Sequence, residues 1–211
     1  MTTVTAEPST RSVEPDPTDD GRRDRKKRLT RDGLIEAAAE LFATTGFDET
    51  TTNDIAEAAD VSQRTLFRHF PTKEALLYGD MDELKLELRR AFAERPADEA
   101  ILDVVRHAML TVAADFDTNR ERRLLQVRLA AATPSVSAHS RAVVQAQWER
   151  EIIAAVAARL GVDPVADPRP EIIAGAAMSA IRVATRQWTA GGGTDDFTDL
   201  ADGALSAIAD L

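Results

Sequence analysis

DVSQRTLFRHFPTK, residues 60–73, is the stretch that decides how this chain folds. From Val61 to Lys73 it carries Arg64, Arg68, His69 and Lys73 without one acidic side chain, although the chain holds 36 acidic against 26 basic residues and a formal net charge of −10. Ser62 has the chemistry of an N-cap for a short helix running through Phe70, and Pro71 closes it. Just upstream, Thr51 and Asp54 have the spacing of a capping box for a helix through Ile55 and Ala56 to about Ala59, leaving Ala59-Asp60-Val61 as a turn. Further upstream Thr30 is placed to cap a helix whose apolar residues Leu34, Ala37, Ala38, Leu41 and Phe42 share one face, with Gly46 at its end. Two short helices joined by a tight turn, behind a third that completes a small core, make a three-helix helix-turn-helix.

The geometry of the third helix explains the acid-free window. At 100° per residue, Leu66 and Phe70 face the core with Val61, and Arg64 and Arg68 lie opposite, flanked by Gln63, Thr65 and Phe67. A face that meets a polyanion needs cations and N–H donors, and one carboxylate there would oppose several of them. Arg64 suits bidentate contact with guanine, Gln63 suits adenine, and Phe67 or the Thr65 methyl suits a thymine methyl. Thr52, Arg68, His69 and Lys73, around the edges of that face, suit phosphate oxygens. The other reading of such a helix is an ordinary solvated cationic face.

Beyond this head the helical period continues. Thr72 opens a long helix that Pro96 ends. Further helices are expected around Ile101–Val112, Leu124–Leu129, residues 136–160, Glu171–Trp188 and Asp195–Ala209, giving an all-α chain of about nine helices. Residues 1–25 form a disordered tail with a basic arm, residues 26–71 the helix-turn-helix domain, and residues 72–211 a larger helical domain. Prolines, Ser and Thr dominate the tail, and it has too little apolar surface to offset ordering entropy. Within the run RRDRKKR, residues 22–28, basic side chains dominate; it either reaches DNA as an arm or is simply solvated.

Composition excludes several chemistries. There is no cysteine, and the three histidines, His69, His107 and His139, include no pair at i, i+4 spacing, so no HExxH-type metal site is expected and no cofactor is implied. Nothing converges on a reaction, and no enzyme is expected. No segment approaches the roughly 18 apolar residues of a membrane span, so no membrane partner is expected and the cytoplasm is the expected location.

Residues 46–76, GFDETTTNDIAEAADVSQRTLFRHFPTKEAL, resemble the DNA-binding signature of TetR-family bacterial transcriptional regulators. Gly46-Phe47, Asp54-Ile55-Ala56, Ala59, Val61-Ser62, Thr65-Leu66, His69-Phe70 and Lys73-Glu74 stand where that family's pattern has them. The resemblance implies base reading by Gln63, Arg64 and Thr65 and phosphate contacts by Thr52, His69 and Lys73. It also implies a homodimer on a palindromic double-stranded operator, with an effector-binding and dimerisation domain from Thr72 onward. Asp60 departs from the family's turn glycine, and Phe67 from its usual tyrosine, which removes one hydroxyl contact. Those departures and the acidic total motivate an alternative: a helical ligand-binding or interaction module without specific DNA binding.

The last two long helices are rich in small residues, which permits close approach between subunits or, equally, within one chain. His107, Met109, Phe116, Gln126, Arg128, Trp148, Met178 and Arg182 are candidate liners of an effector pocket, each also readable as ordinary core or surface. The segment from Arg123 to Pro164, with IRVATRQWTAGGG, is similar to an actinobacterial subgroup thought to bind acyl-CoA-like ligands, including mycofactocin-associated regulators. That similarity implies a lipophilic or acyl-CoA-like small-molecule effector and a ligand-responsive repressor.

Overall fold

A computed structural model describes residues 17–209 of the chain. Its elements are α1 (Pro17–Thr44), α2 (Thr52–Ala58), α3 (Gln63–His69), α4 (Lys73–Leu77), α5 (Met81–Glu94), α6 (Ile101–Thr118), α7 (Arg120–Ala132), α8 (Pro134–His139), a π-helical turn (Ser140–Gln145), α9 (Ala146–Leu160), α10 (Arg169–Ala190) and α11 (Phe197–Ala209). The all-α expectation holds, and among the described residues there is no strand.

The head forms as its caps dictate. Asp54 N donates to Thr51 Oγ1 at 3.1 Å and Thr51 N donates to Asp54 Oδ2 at 2.8 Å, a complete capping box on α2. The turn is a Schellman motif: Val61 N donates to Ala56 O at 2.9 Å and Asp60 N to Glu57 O at 3.0 Å. Asp60 occupies its left-handed position with φ 51°, so the turn survives without the glycine that would adopt this conformation freely. Ser62 Oγ accepts from Thr65 N at 3.2 Å and starts α3. Leu34, Ala38, Phe42, Phe47, Ile55, Leu66 and Phe70 close into one buried cluster.

Three element boundaries differ from the sequence reading. First, α1 does not begin at Thr30: residues 17–25, expected as tail, are helical, and the rest of that tail, residues 1–16, lies outside the described residues. Arg and Lys are straight-chain helix formers, and they carry α1 outward past Thr30.

Second, the expected helix from Thr72 to Arg95 is broken between Leu77 and Met81. Gly79 causes the break: it is pressed against the head so closely that a Cβ there would lie 2.5 Å from Ile35 Cγ1 and 3.0 Å from Phe70 Cε1. Its carbonyl leaves the helical ladder and accepts from Arg31 Nη2 at 2.8 Å.

Third, residues 134–160 are one path in three pieces, with the π turn in the middle.

The body packs α5, α6, α9, α10 and α11 around Leu88, Val104, Ala108, Ile152, Val156, Ala174 and Ala177. A second cluster joins Ala113, Ala184, Trp188, Phe197 and Ala201. Several of the small residues of α10 and α11 are therefore intrachain core: Ala174, Ala177, Ala180, Ala184 and Ala201 are buried, whereas Gly203 and Ala207 are exposed.

Candidate nucleic-acid interface and cavity

The outer face of α3 presents Gln63, Arg64, Phe67 and Arg68 to solvent, with Phe67 47% exposed. Gln63 Nε2 reaches Thr52 Oγ1 at 3.4 Å, so α2 and α3 contribute to one surface. Thr65 is half-buried and its hydroxyl lies 2.9 Å from Ser62 Oγ, which ties it to the cap and leaves chiefly its methyl for the outer face. His69 is half-buried at the end of α3; burial, reinforced by the positive charges of Arg68, Arg31 and Lys27, holds its pKa below the ordinary imidazole value.

Lys73 has a different position from the one its sequence context suggests. Its Nζ donates to Phe47 O at 2.6 Å, Thr50 O at 3.1 Å and Asp48 O at 3.4 Å, and it sits 4.3 Å from the centre of the Phe47 ring. An ammonium has three donors and all three are committed. Lys73 pins the α1–α2 loop from within, and any phosphate contact would compete with that cage.

The body encloses a cavity of about 550 Å³, within the usual range of small-molecule sites, about 300–1,000 Å³. Met81 and Leu84 of α5, Met109, Val112 and Phe116 of α6, Trp148 of α9, Met178 and Ile181 of α10, and Phe197 of α11 make its apolar wall. Gln126 enters from α7, Ser140, Val144 and Gln145 from the π turn, and Arg182, Thr185, Arg186 and Thr189 from α10. Among the described residues no acidic side chain lines it. Arg182 Nη2 donates to Ser179 Oγ at 2.5 Å, and among the described residues no carboxylate pairs with Arg182 or Arg186. The two stand one turn apart, on the same side of α10.

Of the expected liners, Met109, Phe116, Gln126, Trp148, Met178 and Arg182 meet at this cavity. His107 and Arg128 do not. Both are exposed, because Val104, Val105, Ala108 and Met109 take the inward face of α6 and Arg123 and Gln126 that of α7. Sequence reasoning missed Tyr78, Gln145 and Arg186. The i, i+4 spacing of Arg186 to Arg182 is a signal for it; Tyr78 and Gln145 depend on the elbow and the π turn, which the apolar period does not signal.

Cavity and head meet at the elbow between α4 and α5. Tyr78, half-buried, stacks on His139 with centroids 5.9 Å apart; burial raises its pKa, and a hydrogen bond with Ser140 opposes this. Gln126 Nε2 donates to Leu77 O at 2.7 Å. Arg123, 1% exposed, bonds Asp80 Oδ2 at 2.7 Å, Gln126 Oε1 at 2.9 Å, and Asp115 through its Nε. One buried guanidinium therefore fastens α6, α7 and the elbow together, beside a residue that lines the cavity.

Comparison with known proteins agrees with this arrangement. Residues 34–78 match the family model for bacterial regulatory proteins of the tetR family, and residues 99–211 match the model for the MftR C-terminal domain. The chain is 34% identical over 194 residues to the HTH-type transcriptional regulator TcmR of Streptomyces glaucescens, covering 89% of this chain and 84% of TcmR. It is 29% identical over 164 residues to the mycofactocin biosynthesis transcriptional regulator MftR of Mycobacterium tuberculosis, covering 78% and 82%. Among solved structures it superposes on a TetR-family regulator from Rhodococcus sp. with TM-score 0.56, 23% identity, and 86% and 97% coverage. On Thermus thermophilus FadR, a repressor solved in complex with lauroyl-CoA, the TM-score is 0.53, with 25% identity and 83% and 91% coverage.

Proposed function

From the premise that the chain belongs to the TetR family of bacterial transcriptional regulators, we propose that it is a homodimeric repressor, acting in the cytoplasm, that binds a palindromic operator and leaves it when a lipophilic anion fills the body cavity. The observation that carries this reading is the pairing of an exposed, acid-free α3 face with an apolar cavity whose charged liners, among the described residues, are Arg182 and Arg186.

On the DNA side, Gln63, Arg64, Thr65 and Phe67 read base edges, while Thr52, Arg68 and His69 hold phosphates. Two heads about 34–36 Å apart would meet successive major grooves. The partner subunit packs against α10 and α11, where Gly203 and Ala207 remain exposed.

On the ligand side, the apolar wall suits an acyl chain and the arginine pair suits a carboxylate or phosphate head, so an acyl-CoA-like effector fits both chemistries. The FadR neighbour bound to lauroyl-CoA supports that class. A ligand shifts the dimer only through unequal affinity for its DNA-bound and released forms. Gln126 offers the route: it lines the cavity and holds Leu77 O, the last carbonyl of α4, so a ligand that takes its amide frees the elbow under the head.

Titration of the protein–operator complex with lauroyl-CoA, followed by fluorescence anisotropy, tests this reading. Release at saturating ligand is expected, and Arg182→Gln/Arg186→Gln should need a higher concentration. Unchanged operator affinity for lauroyl-CoA and for free fatty acids alike would refute the effector class.

A further inference from the structure

The first turns of α1 extend beyond the folded head. Residues 21–29 are all exposed, and from Arg22 to Arg28 they carry six basic side chains against one acidic. An isolated helical extension of this kind is marginal in water, and none of residues 21–29 is buried to repay its order.

The arm points somewhere definite. Arg31 lies against the head, its guanidinium 4.5 Å from the centre of the Phe70 ring and 2.7 Å from Asp82 Oδ2. One turn outward, Lys27 is close enough for its charge to act on His69 at the end of α3. Another turn outward on the same face comes Arg23, since residues four apart stack along a helix. Arg31, Lys27 and Arg23 thus form a line from the edge of the recognition surface into solvent. Arg22 and Lys26 lie about 100° around the helix from Arg23 and Lys27, off that line. Eight residues at 1.5 Å each carry the line about 12 Å past Arg31, the length of three to four base pairs at about 3.4 Å each.

We propose that this helical arm is a second DNA-binding element, in which Lys27 and Arg23 neutralise backbone phosphates flanking the half-site that α3 occupies. The inference rests on the regulator reading above. It predicts a footprint wider than the head alone and a larger share of sequence-independent affinity. It also explains how a chain of net charge −10 overcomes its repulsion from DNA.

The test uses the full chain, an operator selected in vitro, and two variants of equal charge: Arg23→Gln/Lys27→Gln and Arg22→Gln/Lys26→Gln. Circular dichroism should show that both keep their helix. Anisotropy over a salt series should give a log–log slope shallower by about 0.9 for each lost phosphate contact, so by about 2 per subunit for the first pair and by less than half of that for the second. Trimming the flanks back to the half-sites should weaken wild type and leave Arg23→Gln/Lys27→Gln indifferent. Equal slopes for all three proteins, or equal losses from both pairs, would overturn the proposal while leaving the head's role intact. Failure of wild type to bind any selected duplex would instead sink the regulator reading, and the arm with it.

Discussion

Replacing Arg123 by Met would remove the guanidinium that joins α6, α7 and the elbow. Met fills similar space flexibly, so the loss is chiefly electrostatic. Breaking a buried ion pair by removing one partner costs about 3–5 kcal/mol, because the other charge stays buried and unpaired. Asp80 keeps Arg122 at 3.2 Å, on the more exposed side of the cluster, and this places the expectation near the lower end, about 3 kcal/mol. Asp115 loses Arg123, the cation its carboxylate pairs with. With a urea dependence of about 2 kcal/mol per molar, the unfolding midpoint should fall by about 1.5 M. The assay is urea unfolding by far-UV circular dichroism at a fixed subunit concentration, since dimerisation adds to apparent stability. Adding Asp80→Asn and Asp115→Asn to the Met variant should recover at least half the loss, because no buried charge is then unpaired. A drop below about 1 kcal/mol, or no recovery in the triple variant, would refute the idea that this guanidinium is the fastening.

Three further outcomes are expected. Arg64→Ala should relax operator specificity at one base position at a cost of about 1–3 kcal/mol, read by binding to a set of single-base operator variants; a uniform loss across all sequences would mean a phosphate role instead. Lys73→Met should lower thermal stability by about 2–3 kcal/mol, the scale of hydrogen bonds to a charged donor, and leave the salt slope of DNA binding unchanged; a slope shallower by about one, with stability intact, would restore the phosphate role that its motif position implies. Asp117, which accepts from Phe197 N at 2.8 Å and Thr198 N at 3.0 Å, is pushed up by burial but held overall below its ordinary 3.8 by these bonds. Its contribution is therefore complete above that value and lost as pH falls through the lower folded pKa. Calorimetry should find the melting-temperature gap between wild type and Asp117→Asn closing below pH 3.8; a constant gap would refute the assignment.

The head was legible in the sequence because local chemistry settles it: Thr51, Asp54 and Ser62 form the caps their spacing implies, and Asp60 takes the left-handed turn position. The elbow was not, because the apolar period runs straight through Tyr78-Gly79-Asp80 and only the approach of Ile35 and Phe70 shows why glycine stands there. Lys73 illustrates a second limit. Its cation was visible, but its partners are backbone carbonyls contributed by Phe47, Asp48 and Thr50, and carbonyls leave no trace in a sequence. In the cavity, inward-facing apolar residues such as Met109, Phe116, Trp148 and Met178 follow from helical period, whereas His107 and Arg128, whose chemistry suits a ligand, lie on outward faces. Arg123 and Gln126 are the converse: polar residues on the buried face of α7, satisfied only by Asp80, Asp115 and Leu77 O from elsewhere in the chain.

The most direct test of the central claim is an anisotropy titration of the protein against a duplex from upstream of its own gene, with a scrambled duplex as competitor, over a salt series. Binding to the native sequence that survives the competitor and weakens steeply with salt is the predicted result. No preference for the native duplex even at low salt would contradict it.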